Sequence, residues 1–161
     1  MEVCINYSHV GQELVVCQRI FTNNKSAYHN YFVEEVIECG IVLTGTEIKS
    51  IRSGKVSIND SYCDFKDNEM FIINMHISLY DKGNIFNHNP LRDRKLLLHK
   101  KEIVTLEYKQ SKSGYTIIPL KIVLRNGRCK VDIGLCKGKK LYDKRESEKT
   151  KAVERELREK Y

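Results

Sequence analysis

No catalytic signature stands anywhere in the 161 residues. The chain has no G-x-S-x-G elbow to expose a serine, no P-loop to cradle phosphates and no H-E-x-x-H pair to hold zinc. Its five histidines, at 9, 29, 76, 88 and 99, keep no ligand spacing, and its six cysteines form no C-x-x-C pair. Asp60, Asp64 and Asp67 imitate a calcium loop, but the glycine and closing glutamate of such a loop are misplaced. No metal and no cofactor is therefore expected. A Cys–His nucleophile pair leaves no local motif, because its members meet only in the fold, so a small hydrolase stays as a rival reading. No apolar run approaches the roughly 18 residues of a spanning helix. The start lacks the order of a secretory signal, with Glu2 first and the short apolar run Leu14–Cys17 late. Cys39, Cys63 and Cys129 lie in apolar strand patterns, where a thiol behaves as a small hydrophobe. Reduced core thiols in a cytoplasmic protein, without membrane contact, are the expectation.

What the chain has is positive charge: 30% of residues are charged, with a formal net charge of +7. That balance favours an anionic partner. Basic residues gather at Lys49/Arg52/Lys55, at Arg92/Arg94/Lys95, around Asn126-Gly127, and from Lys137 to Arg145. The last stretch packs Lys137, Lys139, Lys140, Lys144 and Arg145 around the single acid Asp143, with no apolar period. It reads either as a solvated linker or as a polyanion contact in which Tyr142 stacks on a base. Tyr28, His29, Tyr31 and Tyr115 also stand beside polar or basic groups, as in proteins that hold single-stranded or looped RNA. Tyr62 and Tyr115 are expected in the core.

In chain order, residues 1–23 read as an irregular leader with room for a short strand near 14–18. Residues 31–43 read as a long strand that Gly40 interrupts at a bulge or barrel corner. A short helix follows, with Thr46 as N-cap and Ser53-Gly54 as its stop. Residues 60–65 and 69–77 form a hairpin around Asp67-Asn68. Asn89-Pro90 opens a helical stretch that continues to about Gln110, with a kink near His99-Lys100. Tyr115–Arg125 and Arg128–Leu135 pair across Asn126-Gly127, the strongest short hairpin turn. That turn sets Leu124 opposite Cys129, Ile122 opposite Val131 and Leu120 opposite Ile133 on a core face. On the outer face Arg125 meets Arg128, Val123 meets Lys130 and Lys121 meets Asp132. Two opposed arginines are mildly destabilising; either they splay into water or an anion sits between them. The tail 146–161 has only Val153, Leu157 and Tyr161 as an apolar stripe, so it is expected to be disordered when free and helical when docked. The whole reads as mainly β: an oligonucleotide-binding (OB) type antiparallel barrel, five-stranded and partly open, with short flanking helices. A flat α+β sandwich is the alternative.

Four stretches in order resemble the small protein B family, the bacterial partners of transfer-messenger RNA (tmRNA, or SsrA RNA) in trans-translation. They are the run Asn24 to Glu35 (N-K-S-A-Y-H-N-Y-F-V-E-E), Gly45 to Gly54 (G-T-E-I-K-S-I-R-S-G), Arg92 to His99 (R-D-R-K-L-L-L-H), and Cys136 to Arg145 (C-K-G-K-K-L-Y-D-K-R). The resemblance implies an OB-type barrel that binds the tRNA-like domain of tmRNA. It implies delivery of alanyl-tmRNA with elongation factor Tu to the vacant A site of a stalled ribosome. It also implies a tail that probes the empty mRNA channel of the small subunit, beyond the decoding centre. The division expected is a divergent leader 1–23, a tmRNA-binding barrel 24–136, and a basic hinge and tail 137–161, in a monomer. Tyr28, His29, Tyr31, Glu38, Leu96 and His99 fall in the family's RNA-facing region. Lys25, Lys49, Arg92, Arg94, Lys95, Lys121, Arg125, Arg128 and Lys130 join them as basic RNA contacts. Lys137, Gly138, Lys139, Lys140, Tyr142, Asp143, Lys144 and Arg145 are assigned to the ribosome, with Val153 and Leu157 as the tail's docking stripe. The leader departs from the family's short basic arm and is expected to add nothing to RNA binding. A general OB-fold RNA chaperone or ribosomal protein remains the rival of the same class.

Overall fold

Two tight turns organise the sheet. Asn126 and Gly127 hold φ of 50° and 75°, and Asp67 and Asn68 hold 53° and 59°, the left-handed pairs that match strand twist in two-residue hairpins. A computed structural model describes residues 2–7, 14–83 and 87–140, with side chains from Arg19 onward. In chain order the elements are β1 (Glu2–Tyr7), β2 (Leu14–Asn23), α1 (Lys25–Asn30), β3 (Tyr31–Ile41), α2 (Gly45–Arg52), β4 (Val56–Ser57) and β5 (Tyr62–Lys66). After these come β6 (Glu69–Ile73), β7 (His76–Ile77), β8 (Arg94–Leu97), α3 (Lys100–Ser113), β9 (Thr116–Arg125) and β10 (Arg128–Gly138).

The strands close on themselves in the order β9-β10-β3-β8-β6-β5, and β5 returns to β9 through Cys63 opposite Ile117. This antiparallel ring is a barrel and not the flat sandwich, with six strands where five were expected. Its interior holds Ile72, Leu96, Ile117, Ile122, Val131 and Ile133, all buried. Ile51 of α2 and Leu106 of α3 complete that core. Each such aliphatic side chain stabilises the fold by roughly 1.5–3 kcal/mol.

The hairpin register holds from Arg128 opposite Arg125 to Asp132 opposite Lys121, and then shifts, so that Ile133 faces Pro119. Leu120 is therefore bulged away from Ile133. Proline has no N–H for the ladder and is confined to edges and bulges, so Pro119 marks the place. The bulge turns Leu120 onto a second, outer cluster with Ala27, Ile118 and Cys136. Gly134 makes room for it: a Cβ there would come within 2.8 Å of the Leu120 side chain. Asn24, fully buried, ties α1 to this spot. Its backbone N–H donates to Leu120 O (2.7 Å), and its side-chain amide donates to Pro119 O (3.1 Å) and Ile58 O (3.0 Å).

Several local expectations change. The bulge of β3 lies at Glu34, between Val33 opposite Cys136 and Glu35 opposite Leu135. Gly40 is instead the crossing where β3 pairs with both β10 and β8, and a Cβ there would meet Leu97 at 3.2 Å. The cap of α2 is Thr44, not Thr46, because Glu47 at the third helical position reaches back to the Thr44 N–H (2.7 Å). Gly54, with φ of 75°, stops the helix as expected. Asn89-Pro90 starts no helix. The Asn89 side chain accepts the Leu91 N–H (3.1 Å) in a turn, and β8 follows. The three leucines 96–98 hide the period of two that β8 obeys. Its helix begins only at Lys100, where Glu102 accepts the His99 N–H (2.8 Å). Tyr62 is 44% exposed and does not join the core, whereas Tyr115 packs against it.

The segment expected to be an irregular leader carries two strands. β2 pairs with β9 from Gln18 opposite Arg125 to Asn23 opposite Lys121, and β1 pairs with β2. Phe21, bulged between Ile20 and Thr22, packs on the main core. Removing residues 1–22 therefore removes a ladder partner of β9 and an aromatic core contact, about 2–3 kcal/mol. Calorimetry on that truncation should record a melting temperature lower by on the order of 5–10 °C. A truncated chain that melts with the full one refutes the packing of β2 onto the barrel.

Candidate nucleic-acid interface

The outer face of β3, β10 and β9 carries the opposed arginines. Glu38 stands on β3 opposite Asp132 of β10. Its carboxylate pairs with Arg125 across the sheet and lies 3.8 Å from the Lys130 ammonium, while Lys121 pairs with Asp132 at 3.1 Å. The Arg125–Arg128 repulsion is thus relieved from within the protein, by the carboxylate of Glu38. Four cations face two carboxylates, so the surface keeps a positive balance, and Arg128 at the turn is exposed. Exposed ion pairs are worth roughly 0–1 kcal/mol.

Beside this ladder, β3, β8, α2 and the hairpin tip enclose an apolar groove of about 460 Å³. Val42 and Leu97 line it, 43% and 53% exposed, with Arg52, Arg128 and Lys130 on its margin. The alternation of β8 decides which of its residues face the groove. Arg94 and Leu96 are buried, whereas Lys95 and Leu97 point outward. Leu96 is a core residue, 1% exposed, so it is not an RNA contact; Leu97 is the leucine that faces outward here. Period-two counting from Arg94 would have found it.

Arg94 is withdrawn from the surface as well. It is 0% exposed and donates through Nε to Glu47 (2.9 Å) and through Nη1 to Met75 O (2.6 Å) and Arg92 O (2.8 Å). Glu47, also 0% exposed, accepts further bonds from the Arg92 guanidinium (2.9 Å) and the Thr44 N–H. Burial alone would raise the Glu47 pKa, but the Arg92 and Thr44 hydrogen bonds and the Arg94 charge outweigh it and hold the carboxyl below its ordinary range. Arg92 is part of this network with its side chain 39% exposed. Lys95 pairs with Glu69, and the Lys49 ammonium lies 5.4 Å from the centre of the Tyr80 ring.

At the other end of β10 the tail leaves the barrel beside α1. The Lys139 N–H donates to Asn30 O (3.0 Å), and its ammonium donates to Tyr28 O (3.1 Å) and lies 4.9 Å from the Phe32 ring centre. Lys139 therefore secures the root of the tail. Tyr28 and Phe32 are 44% and 50% exposed beside it, Lys25 and Lys137 are exposed, and Tyr31 packs on the outer cluster. Phe32 escaped sequence reasoning because it alternates with Tyr31 and was read as one position of a strand. Gly138 and Lys140 are exposed, and His99 caps α3 on the surface; His29 is half-buried. Tyr142, Asp143, Lys144, Arg145, Val153 and Leu157 lie outside the described residues. The structure thus separates two surfaces: a groove with a charge ladder near the hairpin tip, and an aromatic–cationic corner at the tail root.

The buried thiols do not suit nucleophilic chemistry. Burial pushes Cys39 up to about 12, and Cys136 and the half-buried Cys129 to about 11, so they stay protonated. His88, the buried histidine among the described residues, is tied to Thr46 Oγ1 (3.0 Å) and Ile77 O (3.1 Å).

A family model described as "SmpB protein" matches residues 21–161. The chain belongs to the SmpB family. An SsrA-binding protein of Clostridium novyi is 54% identical over 134 residues, 83% of this chain and 85% of the relative. One of Acetivibrio thermocellus is 51% identical over 148 residues, 89% of this chain and 96% of the relative. One of Shouchella clausii is 55% identical over 139 residues, 86% and 89%. A solved chain described as "tmRNA-SmpB: a journey to the center of the bacterial ribosome" superposes with a TM-score of 0.63 at 44% identity, covering 83% of this chain and 94% of that one. The SmpB match begins at Phe21, inside β2, so β1 and most of β2 lie ahead of it.

The Arg94–Glu47 network predicts a fold defect rather than an RNA defect. Arg94→Ala strands a buried carboxylate and should cost about 3–5 kcal/mol in denaturant unfolding. Glu47 has its pKa depressed on folding, so its share of stability is present above its ordinary value of 4.5 and is lost as pH falls through and below that value. In Glu47→Gln the acid-side loss of stability should be smaller than in the unsubstituted chain. Equal slopes below pH 4.5 would remove Glu47 as the titrating group.

Proposed function

We propose that this chain is an RNA-binding adaptor of ribosome rescue, without enzymatic activity of its own, that binds the tRNA-like domain of tmRNA and accompanies it into the A site of stalled ribosomes. The match of residues 21–161 to the SmpB family, with SsrA-binding relatives over half identical across most of the chain, carries this reading. The geometry supports it at two places. Glu38, Arg125, Arg128 and Lys130, beside Leu97 and Val42, offer phosphate and ribose contacts next to an apolar surface on which a looped base can rest. Lys137, Lys139 and Lys140 carry positive charge from the barrel toward the tail.

On this reading the hairpin end meets tmRNA and the tail root meets the ribosome. Tyr142, Asp143, Lys144 and Arg145 engage the decoding centre, and Val153 and Leu157 dock the tail in the empty mRNA channel. Leu97 takes the place first given to Leu96. Delivery runs with elongation factor Tu on alanyl-tmRNA, one copy of the chain per complex, in the cytoplasm.

Two measurements test the division. Arg125→Glu combined with Arg128→Glu should weaken tmRNA binding at least tenfold near physiological salt and reduce the salt slope by about 1–2. Unchanged affinity would exclude the hairpin face as the tmRNA surface. Truncation after Gly138 should leave tmRNA affinity within twofold and abolish peptide tagging on stalled ribosomes. Loss of tmRNA binding in that truncation would refute the separation of barrel and tail.

A further inference from the structure

Beside α1, near the root of the tail, a cleft of about 280 Å³ opens between the helix and the turn that leads into β5. It lies away from the hairpin groove, and neither surface shares a residue with the other. Its walls are held from behind. The Asn24 amide donates to Ile58 O (3.0 Å) and Pro119 O (3.1 Å), and Ser61 Oγ donates to Ile58 O (2.6 Å), so the 58–61 turn is tied to β9 and α1 at once. A cleft braced by fully buried bonds is formed before any ligand arrives.

The lining chemistry is selective. Ala27 and Ile118, both buried, supply an apolar wall. Tyr31 and Tyr62 bring two rings, and Tyr62 is 44% exposed. Asn59 and Asp60 add an amide and a carboxylate, both exposed, that make no side-chain bond to a described residue. No lysine or arginine lines the cleft. A phosphate would meet Asp60 with nothing to balance it, and a single carboxylate is too few for a cation. Rings with an amide and an acceptor suit a planar heterocycle that has N–H groups on its edge, which is what an unstacked nucleobase presents. The cations stand just outside. Lys25 is exposed on α1 next to the lining residue Ser26, and Lys139 is bound to the backbone of Tyr28 and Asn30. They are placed for the phosphates on either side of such a base.

We propose that this cleft takes one unstacked nucleobase of the RNA bound by the chain, its face on the Tyr62 ring and its edge on Asn59 and Asp60. The proposal rests on the RNA-binding reading above and adds to it a base-reading site on the opposite end of the barrel from the hairpin tip. The base comes either from tmRNA or from ribosomal RNA; the chemistry is the same, and the assay separates the two.

The full chain carrying Tyr62→Ala, Tyr62→Phe or Asn59→Ala is titrated by filter binding against two probes, the tRNA-like fragment of tmRNA and purified small ribosomal subunits. Tyr62→Ala should bind one probe about tenfold more weakly and the other within twofold, which names the source of the base. Tyr62→Phe keeps the ring and should stay within twofold on both, while Asn59→Ala should lose about threefold on the same probe as Tyr62→Ala. Both positions are exposed, so the substitutions leave the packed core intact. Ultraviolet cross-linking of the unsubstituted chain should join the peptide containing Tyr62 to a single nucleotide of that probe. If Tyr62→Ala and Asn59→Ala bind both probes within twofold of the unsubstituted chain, the site is overturned, while a loss in Arg125→Glu/Arg128→Glu keeps the RNA-binding reading. If the unsubstituted chain binds neither probe, both fall.

Discussion

The buried pair of Glu47 and Arg94 ties together four segments that are separate in sequence. Glu47 caps α2, Arg94 begins β8, and the same guanidinium reaches Met75 O and Pro90 O (3.1 Å). Four segments meet at one charge pair, each carrying orphan polar groups that burial would otherwise penalise. The consequence for the interface is direct. With Arg94 turned inward, the alternation of β8 sends Lys95 and Leu97 out. The groove beside the hairpin has Leu97 on its wall because Arg94 does not stand there.

A second constraint works at the other end. Pro119 withholds a ladder donor, Leu120 bulges outward, and Asn24 takes up the carbonyls that the bulge exposes. Helix α1 is seated by this arrangement, and with it Tyr28, Phe32 and the point where Lys139 binds the α1 backbone. The two ends of the barrel are therefore positioned by two unrelated devices, one ionic and one made of hydrogen bonds to backbone carbonyls. Damage to either should affect stability before it affects recognition.

Much of the fold was legible in the chain. Asn126-Gly127 fixed the register of β9 and β10 through five pairs, and Gly54 marked the end of α2. Other signals were present and outweighed. Asn89-Pro90 resembles a helix start so closely that the strand after it was missed, and three consecutive leucines concealed its alternation. Thr44 and Glu47 form a capping pair three residues apart, but Thr46 competes with Thr44 for the same role. The basic clusters were visible, yet a cluster in sequence does not say which members face water. Arg94 and Lys95 are adjacent, and one is in the core while the other is on the surface.

By itself the sequence determined the periodicities, the turns and the family, because these depend on neighbours a few residues apart and on motifs that survive without knowledge of the fold. The tertiary structure alone decided the ring closure of β5 on β9, the inward turn of Arg94 and Leu96, and the neutralisation of Arg125 by Glu38. It also brought α1 and the 58–61 turn together around a cleft. Each of these pairs groups that stand tens of residues apart, and the choice between burying a charge and exposing it turns on a partner that no local window contains.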